Sequence, residues 1–198
     1  KVDGETKEPL SGVRLKLVSE RTGETVKEWI TDENGSMQFM GLPAGDYLVL
    51  EAEPKEGYQL LPEPFRLTIT KDYKLQTFVL NNQKIEIAVE KRDEETREFV
   101  PGAVLELLDE SGAVLAEWTT ESRAETIKGL KAGIYFVKEK EAAPGYLLKA
   151  EPMEITVTNQ AGVQTFTMTN QKLEVDILKK DKESGGMLPG ATPYAFTK

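Results

Sequence analysis

The 198-residue chain contains no cysteine and no histidine. Disulfides, thiolate or imidazole metal ligation, cysteine nucleophiles, histidine-based triads and haem ligation are thereby excluded within it, and no cofactor is expected. It holds no apolar run long enough to cross a bilayer, and Lys1-Val2-Asp3 lacks the apolar core of a secretory signal. Cations are in short supply: 25 Lys and Arg face 34 Asp and Glu, a net charge of -9. That balance repels nucleic-acid phosphates and anionic lipid, so neither nucleic acid nor membrane is expected as a partner. What remains is a globular composition, with 39% hydrophobic residues, 30% charged residues, 16 Gly and 10 Pro. The chain reads as a soluble part of something longer, with a length that allows two small domains.

Self-similarity organises it. KVDGETKEPLSGVRLKL from Lys1 aligns without gaps on KRDEETREFVPGAVLEL from Lys91, and a third copy, KKDKESGGMLPGA, starts at Lys179. GLPAGDYLVLEAEPKEGY (41–58) matches GLKAGIYFVKEKEAAPGY (129–146), and TFVLNNQK (77–84) matches TFTMTNQK (165–172). The domains predicted are therefore 1–83, with its first strand truncated, 84–171, and a stub of a third repeat at 172–198. Apolar residues alternate with polar ones over short runs, as in Val13, Leu15, Leu17 and in Met153, Ile155, Val157. Asn34-Gly35, Ala44-Gly45, Ser111-Gly112 and Ala132-Gly133 punctuate the runs as turns. No long window favours a helix. About seven short strands per repeat predict tandem antiparallel Greek-key β-sandwiches. The junctions at Gln83-Lys84 and Gln171-Lys172 lack Pro- or Gly-rich linkers, which predicts a short, stiff connection.

Strand parity exposes an anomaly. Counting by twos, the face of Ile85, Ile87 and Val89 continues to Lys91, that of Tyr135 and Val137 to Glu139, and that of Phe166 and Met168 to Asn170. The first unit repeats this with Glu51 after Tyr47 and Val49, and with Asn82 after Phe78 and Leu80; Lys1 stands where Lys91 does. In the stub, Leu173, Val175 and Ile177 lead to Lys179, an unpaired counterpart. Burying an ammonium, a carboxylate and a carboxamide is costly unless they satisfy one another. One reading is a buried ion pair with an added hydrogen bond, or strand ends whose long side chains reach water. The other is chemical. Desolvation disfavours the charged forms, and a neutral lysine amine is a nucleophile. Lys91 would attack the side-chain carbonyl of Asn170. Glu139, hydrogen-bonded to the carboxamide oxygen, would shuttle a proton to the departing ammonia.

The order K-x-D, then L/V-x-G-A/V, then Y-x-x-x-E and G-Y, then a closing strand ending in Asn, resembles the CnaB or SpaA-like B-type repeat of Gram-positive surface adhesins and pilins. The resemblance spans both complete units and the start of the third. It implies a prealbumin-like sandwich locked by a Lys–Asn isopeptide bond with a carboxylate as catalyst: Lys91, Asn170 and Glu139 in the second unit, Lys1, Asn82 and Glu51 in the first. It further implies structural stalk modules of a bacterial cell-surface protein, anchored to the wall through regions outside this chain. Their partners would be neighbouring repeats, and each molecule a monomer that cross-links itself once and is no turnover enzyme. The alternative is an adhesive module that binds a host protein or glycan directly. Pro54 is displaced relative to Pro144 of the G-Y element, and Leu188-Pro189-Gly190-Ala191-Thr192 has the wrong order for a sortase signal. Asp32-Glu33-Asn34-Gly35 opens like a calcium loop, but Pro43 stands where the closing Glu belongs, so a turn is expected. Asn34-Gly35-Ser36 fits a glycosylation sequon, which carries little weight if, as the resemblance implies, the source is bacterial. Trp29 and Trp118 are expected to serve packing.

Overall fold

The structure, a computed structural model, describes residues 1–72, 74–175 and 178–187. Among the described residues every regular element is a strand. The first unit carries β1 (Val2–Asp3), β2 (Arg14–Ser19), β3 (Thr25–Ile30), β4 (Gly45–Glu53), β5 (Phe65–Ile69) and β6 (Asn81–Asn82). The second carries β7 (Glu86–Asp93), β8 (Val104–Leu108), β9 (Val114–Thr119), β10 (Glu125–Lys128), β11 (Gly133–Glu141), β12 (Met153–Val157) and β13 (Val163–Asn170).

In the second unit a four-stranded sheet, β12-β11-β8-β9, faces a three-stranded one, β10-β7-β13. Their inner faces interdigitate Ile85, Ile87, Val89, Leu105, Leu107, Val137, Ile155, Val157 and Met168, with Trp118 and Phe166 packed at the margin. The tryptophans serve packing, as their positions predict; Trp29 does the same in the first unit. The neighbours within each four-stranded sheet pair antiparallel, but the first and last strands of each unit run parallel, β7 with β13 and β1 with β6. Parallel neighbours need a long crossover, and here the rest of the sandwich supplies it. A buried threonine stitches each unit: Thr120 Oγ1 accepts from Ala103 N and donates to Val100 O, as Thr31 does with Val13 and Leu10.

The first unit departs from the seven-strand expectation. Among the described residues it has six strands in two sheets, β3-β2-β4-β5 and the two-residue pair β1-β6. The contrast is clearest at β7. In the second unit this strand is central, pairing with β10 through Glu86–Val89 on one side and with β13 from Val163 on the other. In the first unit residues 37–40 and 75–80, which align with β10 and the start of β13, form no strand. The Asp32 side chain is spent on its turn, accepting from Asn34 N and Ser36 N.

The connection between units is short, as predicted, and is crossed by hydrogen bonds. Ile85 N donates to Gly57 O and Gln59 N to Gln83 O, while Leu60 N reaches Asn159 O in the second unit. The Gln59 carboxamide spans the junction, donating to Lys84 O and accepting from Gly162 N. Gly57 has φ +83, and a Cβ there would lie 3.1 Å from Gly129 O, so only glycine permits this approach. Lys128–Glu5 at 2.6 Å and Lys131–Glu56 at 2.9 Å flank the joint.

The strand predicted over Leu173–Lys179 is not formed at Leu173–Val175, and its residues 176 and 177 lie outside the described residues, as does the Leu188–Thr192 segment. The turn that follows forms nonetheless: Asp181 Oδ1 accepts from Glu183 N and Ser184 N, repeating the turns at Asp3 and Asp93.

Unequal strand content predicts unequal protection. In hydrogen exchange followed by mass spectrometry, amides of 37–40 and 75–80 should exchange faster than their equivalents at 125–128 and 163–168. Equal protection would contradict the assigned difference between the units. In the second core, Leu105→Ala should cost about 2 to 5 kcal/mol in chemical denaturation.

Candidate functional site

Three strands deliver the polar residues of the second unit. The buried face of β7 runs Ile87, Val89, Lys91, that of β11 runs Tyr135, Val137, Glu139, and that of β13 ends Met168, Asn170. In the parallel pairing Lys91 lies opposite Met168, which makes Asn170 its diagonal neighbour on the same face. A bulge in β11 immediately after Glu139 lets the strand turn away once the carboxylate is aimed inward. Lys91, Glu139 and Asn170 are 2%, 3% and 4% exposed, so the site is dry.

Its contacts close on themselves. Lys91 Nζ lies 2.9 Å from Glu139 Oε1 and donates to Asn170 Oδ1 at 2.7 Å. Asn170 Nδ2 donates to both Glu139 oxygens at 2.8 Å and to Leu147 O at 2.7 Å. Glu139 Oε2 also accepts from Lys149 N at 2.6 Å. The expected hydrogen bond from Glu139 to the carboxamide oxygen is therefore replaced by one to the nitrogen. Leu147 O can only accept, so the NH2 must face it and the neighbouring carboxylate, leaving the oxygen for Lys91. Burial holds the Lys91 ammonium below its usual pKa, opposed by the hydrogen bond and charge of Glu139.

The first unit assembles the same residues less completely. Lys1 Nζ lies 3.2 Å from Glu51 Oε1, with both side chains 1% exposed. Asn82 Nδ2 donates to Glu51 Oε1 at 2.7 Å and to Gln59 O at 2.9 Å, while Leu61 N donates to Glu51 Oε2. Lys1 Nζ and Asn82 Oδ1, by contrast, are buried without a hydrogen-bond partner. Burial lowers the Lys1 side-chain pKa against the attraction of Glu51. Lys179 stands exposed and apart from both sites.

Sequence reasoning missed a second recurring cluster. Asp93 Oδ1 caps the turn at Glu95 and Thr96, its Oδ2 accepts from Tyr146 OH at 2.9 Å, and Lys172 Nζ lies 3.0 Å away. Asp3, Tyr58 and Lys84 repeat it, with the lysine at 4.0 Å. The signal was the Asp of K-x-D, the Tyr of G-Y and the Lys after the closing Asn-Gln, each present in both repeats. Each cluster ties the first strand of a unit to the lysine that begins the next. The hydrogen bond from Thr6 N leads those that pull Asp3 down to about 2, and burial followed by Asp3 pushes Tyr58 up to about 12. Asp93 is likewise lowered, first by Thr96 N and then by Lys172.

Two units of one fold, each with a Lys, a Glu and an Asn at the same buried positions, define a repeated domain class. Sequence comparison matches residues 1–84 and 85–172 each to the SpaA prealbumin-like fold domain, and the chain belongs to that family. It is similar to the collagen adhesin of Staphylococcus aureus, 28% identical over 93% of this chain and 18% of that protein. Serine-aspartate repeat-containing protein F of Staphylococcus epidermidis is 24% identical over 85% of this chain and 11% of its own length. The chain thus spans less than a fifth of either relative. The Bacillus anthracis TIE protein shares the fold, with a TM-score of 0.53 and 23% identity over 86% of this chain and 33% of that one.

The depressed aspartates set an acid limit. Both titrate near 4 in an unfolded chain and lower in the folded one. Their stabilisation is therefore complete above about pH 4 and disappears as pH falls through the folded values, about 2 for Asp3. Thermal midpoints should decline over that window, and the Asp3→Asn, Asp93→Asn double variant should start lower at pH 7 and decline less. An unaltered acid profile in the variant would remove these residues from the acid response.

Proposed function

We propose that the chain is a pair of structural stalk modules of a Gram-positive cell-surface adhesin or pilin, and that each module is covalently closed by an isopeptide bond between its first and last strands. The observation that carries this reading is the buried Lys91–Glu139–Asn170 constellation, repeated by Lys1, Glu51 and Asn82.

The chemistry follows from the contacts. Transfer of a proton from Lys91 to Glu139 across 2.9 Å converts an ion pair into two neutral groups, which a dry site favours. The free amine attacks Cγ of Asn170, and the carbonyl oxygen takes the developing negative charge. Glu139, facing Nδ2, passes its proton to the leaving nitrogen and takes up the second proton of the former Lys91 amine, so that one amide N–C bond forms, one breaks, and ammonia departs with Glu139 left protonated. The fold supplies the proximity, and the product consumes both reactants.

The mechanical consequence supports the stalk. The bond spans residues 79 apart, and a cross-link closing a loop of that size adds about 4 to 5 kcal/mol through the unfolded state, treated as a disulfide would be. Tension entering at β7 passes through Lys91 to Asn170 and leaves at Gln171, which spares the strands between.

Intact-mass measurement under denaturing conditions tests the bond directly. The mass should fall short of the sequence mass by two ammonia molecules, or by one if only the second unit reacts. Glu139→Gln should restore one ammonia and lower the melting temperature of the second unit. A wild-type mass equal to the sequence mass refutes the cross-link, and a fully cross-linked Glu139→Gln removes Glu139 from the proton transfer.

A further inference from the structure

Three consecutive residues join the first unit's site to the second unit. Gln59 O accepts from Asn82 Nδ2 at 2.9 Å, and Leu61 N donates to Glu51 Oε2 at 2.8 Å. Beside these contacts the same segment grips the second unit. Gln59 Oε1 accepts from Gly162 N at 2.9 Å, Gln59 Nε2 donates to Lys84 O at 2.9 Å, and Leu60 N donates to Asn159 O at 2.7 Å. Gln59 is 9% exposed, so its carboxamide has little water to replace those partners.

The receiving loop, which joins β12 to β13, is held from its own side. Gln164 Oε1 accepts from Thr158 N at 2.8 Å, and Gln164 Nε2 donates to Thr158 O at 2.8 Å. Asn159 O and Gly162 N are thus presented by a loop that is closed by a side chain whose hydrogen bonds, among the described residues, stay within the second unit. The second unit has no such tie at the matching place. Leu147 O holds Asn170 Nδ2 and Lys149 N holds Glu139, as Gln59 and Leu61 do for Asn82 and Glu51, but leucine carries no side-chain amide to bridge with.

On the isopeptide reading given above, we propose that the second unit regulates the first unit's site. Gln59 is a positioning residue through which the docked 158–164 loop holds Asn82 and Glu51 in reacting geometry, so the first unit closes only after the second has folded and docked. The carbonyl that orients the Asn82 carboxamide and the N–H that fixes Glu51 lie on either side of Leu60, and a shift of this backbone displaces both together. A misplacement of about 1 Å is enough to slow a reaction that depends on proximity. The step itself matches that of the second unit: the bond from Lys1 Nζ to Asn82 Cγ forms, the Asn82 Cγ–Nδ2 bond breaks, Glu51 carries the protons and ammonia leaves. Ordering of this kind locks the first repeat only when its follower is in place.

Two substitutions in the full chain test the coupling from opposite sides of the joint. Gln59→Leu installs the residue that the second unit uses at the equivalent position and removes the bridging amide. Gln164→Ala loosens the receiving loop without touching the first unit. In hydrogen exchange followed by NMR, the Leu61 amide should exchange about tenfold faster in each variant, with the Lys149 amide unchanged as the internal reference. Peptide mapping should show less Lys1–Asn82 link in both variants and an unaltered Lys91–Asn170 link. Wild-type protection of Leu61 in Gln59→Leu overturns the proposal. Faster exchange in Gln59→Leu but not in Gln164→Ala also overturns it, because Gln59 then acts only within the first unit. A Lys1–Asn82 link that forms to the wild-type extent in both variants overturns the control of closure. A wild-type chain that keeps its ammonia at Asn82 refutes the isopeptide reading for that unit instead, and Leu61 exchange then decides the positioning role by itself.

Discussion

The burial of one ammonium group governs the design of each unit. Lys91 sits at the end of a strand whose other inward residues are Ile85, Ile87 and Val89, and nothing apolar offsets the loss of its water. The compensation comes from residues far away in sequence, Glu139 from β11 and Asn170 from β13, which must arrive in register for the charge to be tolerated. Misregistering any of the three strands by one residue would turn its polar group outward and strand the others. The same arrangement that makes the ammonium tolerable places an amine against a carboxamide, so the demands of folding and the geometry that the proposed cross-link needs coincide.

That dependence explains the asymmetry between the units. Asn170 completes the second site because β13 runs for eight residues alongside β7. In the first unit the corresponding strand is two residues, Asn81–Asn82, and Asn82 Oδ1 is left without a donor although Asn82 Nδ2 holds Glu51. The Lys–Glu pair forms in both, since it needs only the four-stranded sheet and the end of the first strand. The oxygen contact needs the central strand at full length.

Much of this was legible beforehand because period-two alternation reports burial directly. Lys91, Glu139 and Asn170 were readable as inward residues from Val89, Val137 and Met168 two positions earlier, and the repeat turned three oddities into a pattern. Parity says which face a residue occupies but not which neighbour it meets. The parallel pairing of β7 with β13 and the side of the carboxamide that Glu139 contacts depend on long-range topology and on Leu147 O, which no local pattern encodes. The central place of β7 between β10 and β13 likewise depends on long-range topology. Asp93, Tyr146 and Lys172 escaped notice because they are ordinary residue types on exposed-looking turns.

The G-Y element brings these requirements together in one loop. Gly145, at φ +83, accepts from Leu173 at the start of the next repeat; Tyr146 holds Asp93 on the first strand; Leu147 O orients the Asn170 carboxamide; and Lys149 N fixes the second oxygen of Glu139. Gly57, Tyr58, Gln59 and Leu61 do the same in the first unit. A loop that joins the buried carboxylate to the inter-repeat joint makes site assembly and repeat docking one event. A repeat whose closing strand is out of place would lose the carbonyl that presents its Asn and the backbone groups that receive its neighbour. Order in the buried site is thereby linked to the docking of the next repeat, as nearest-neighbour coupling in a tandem array requires.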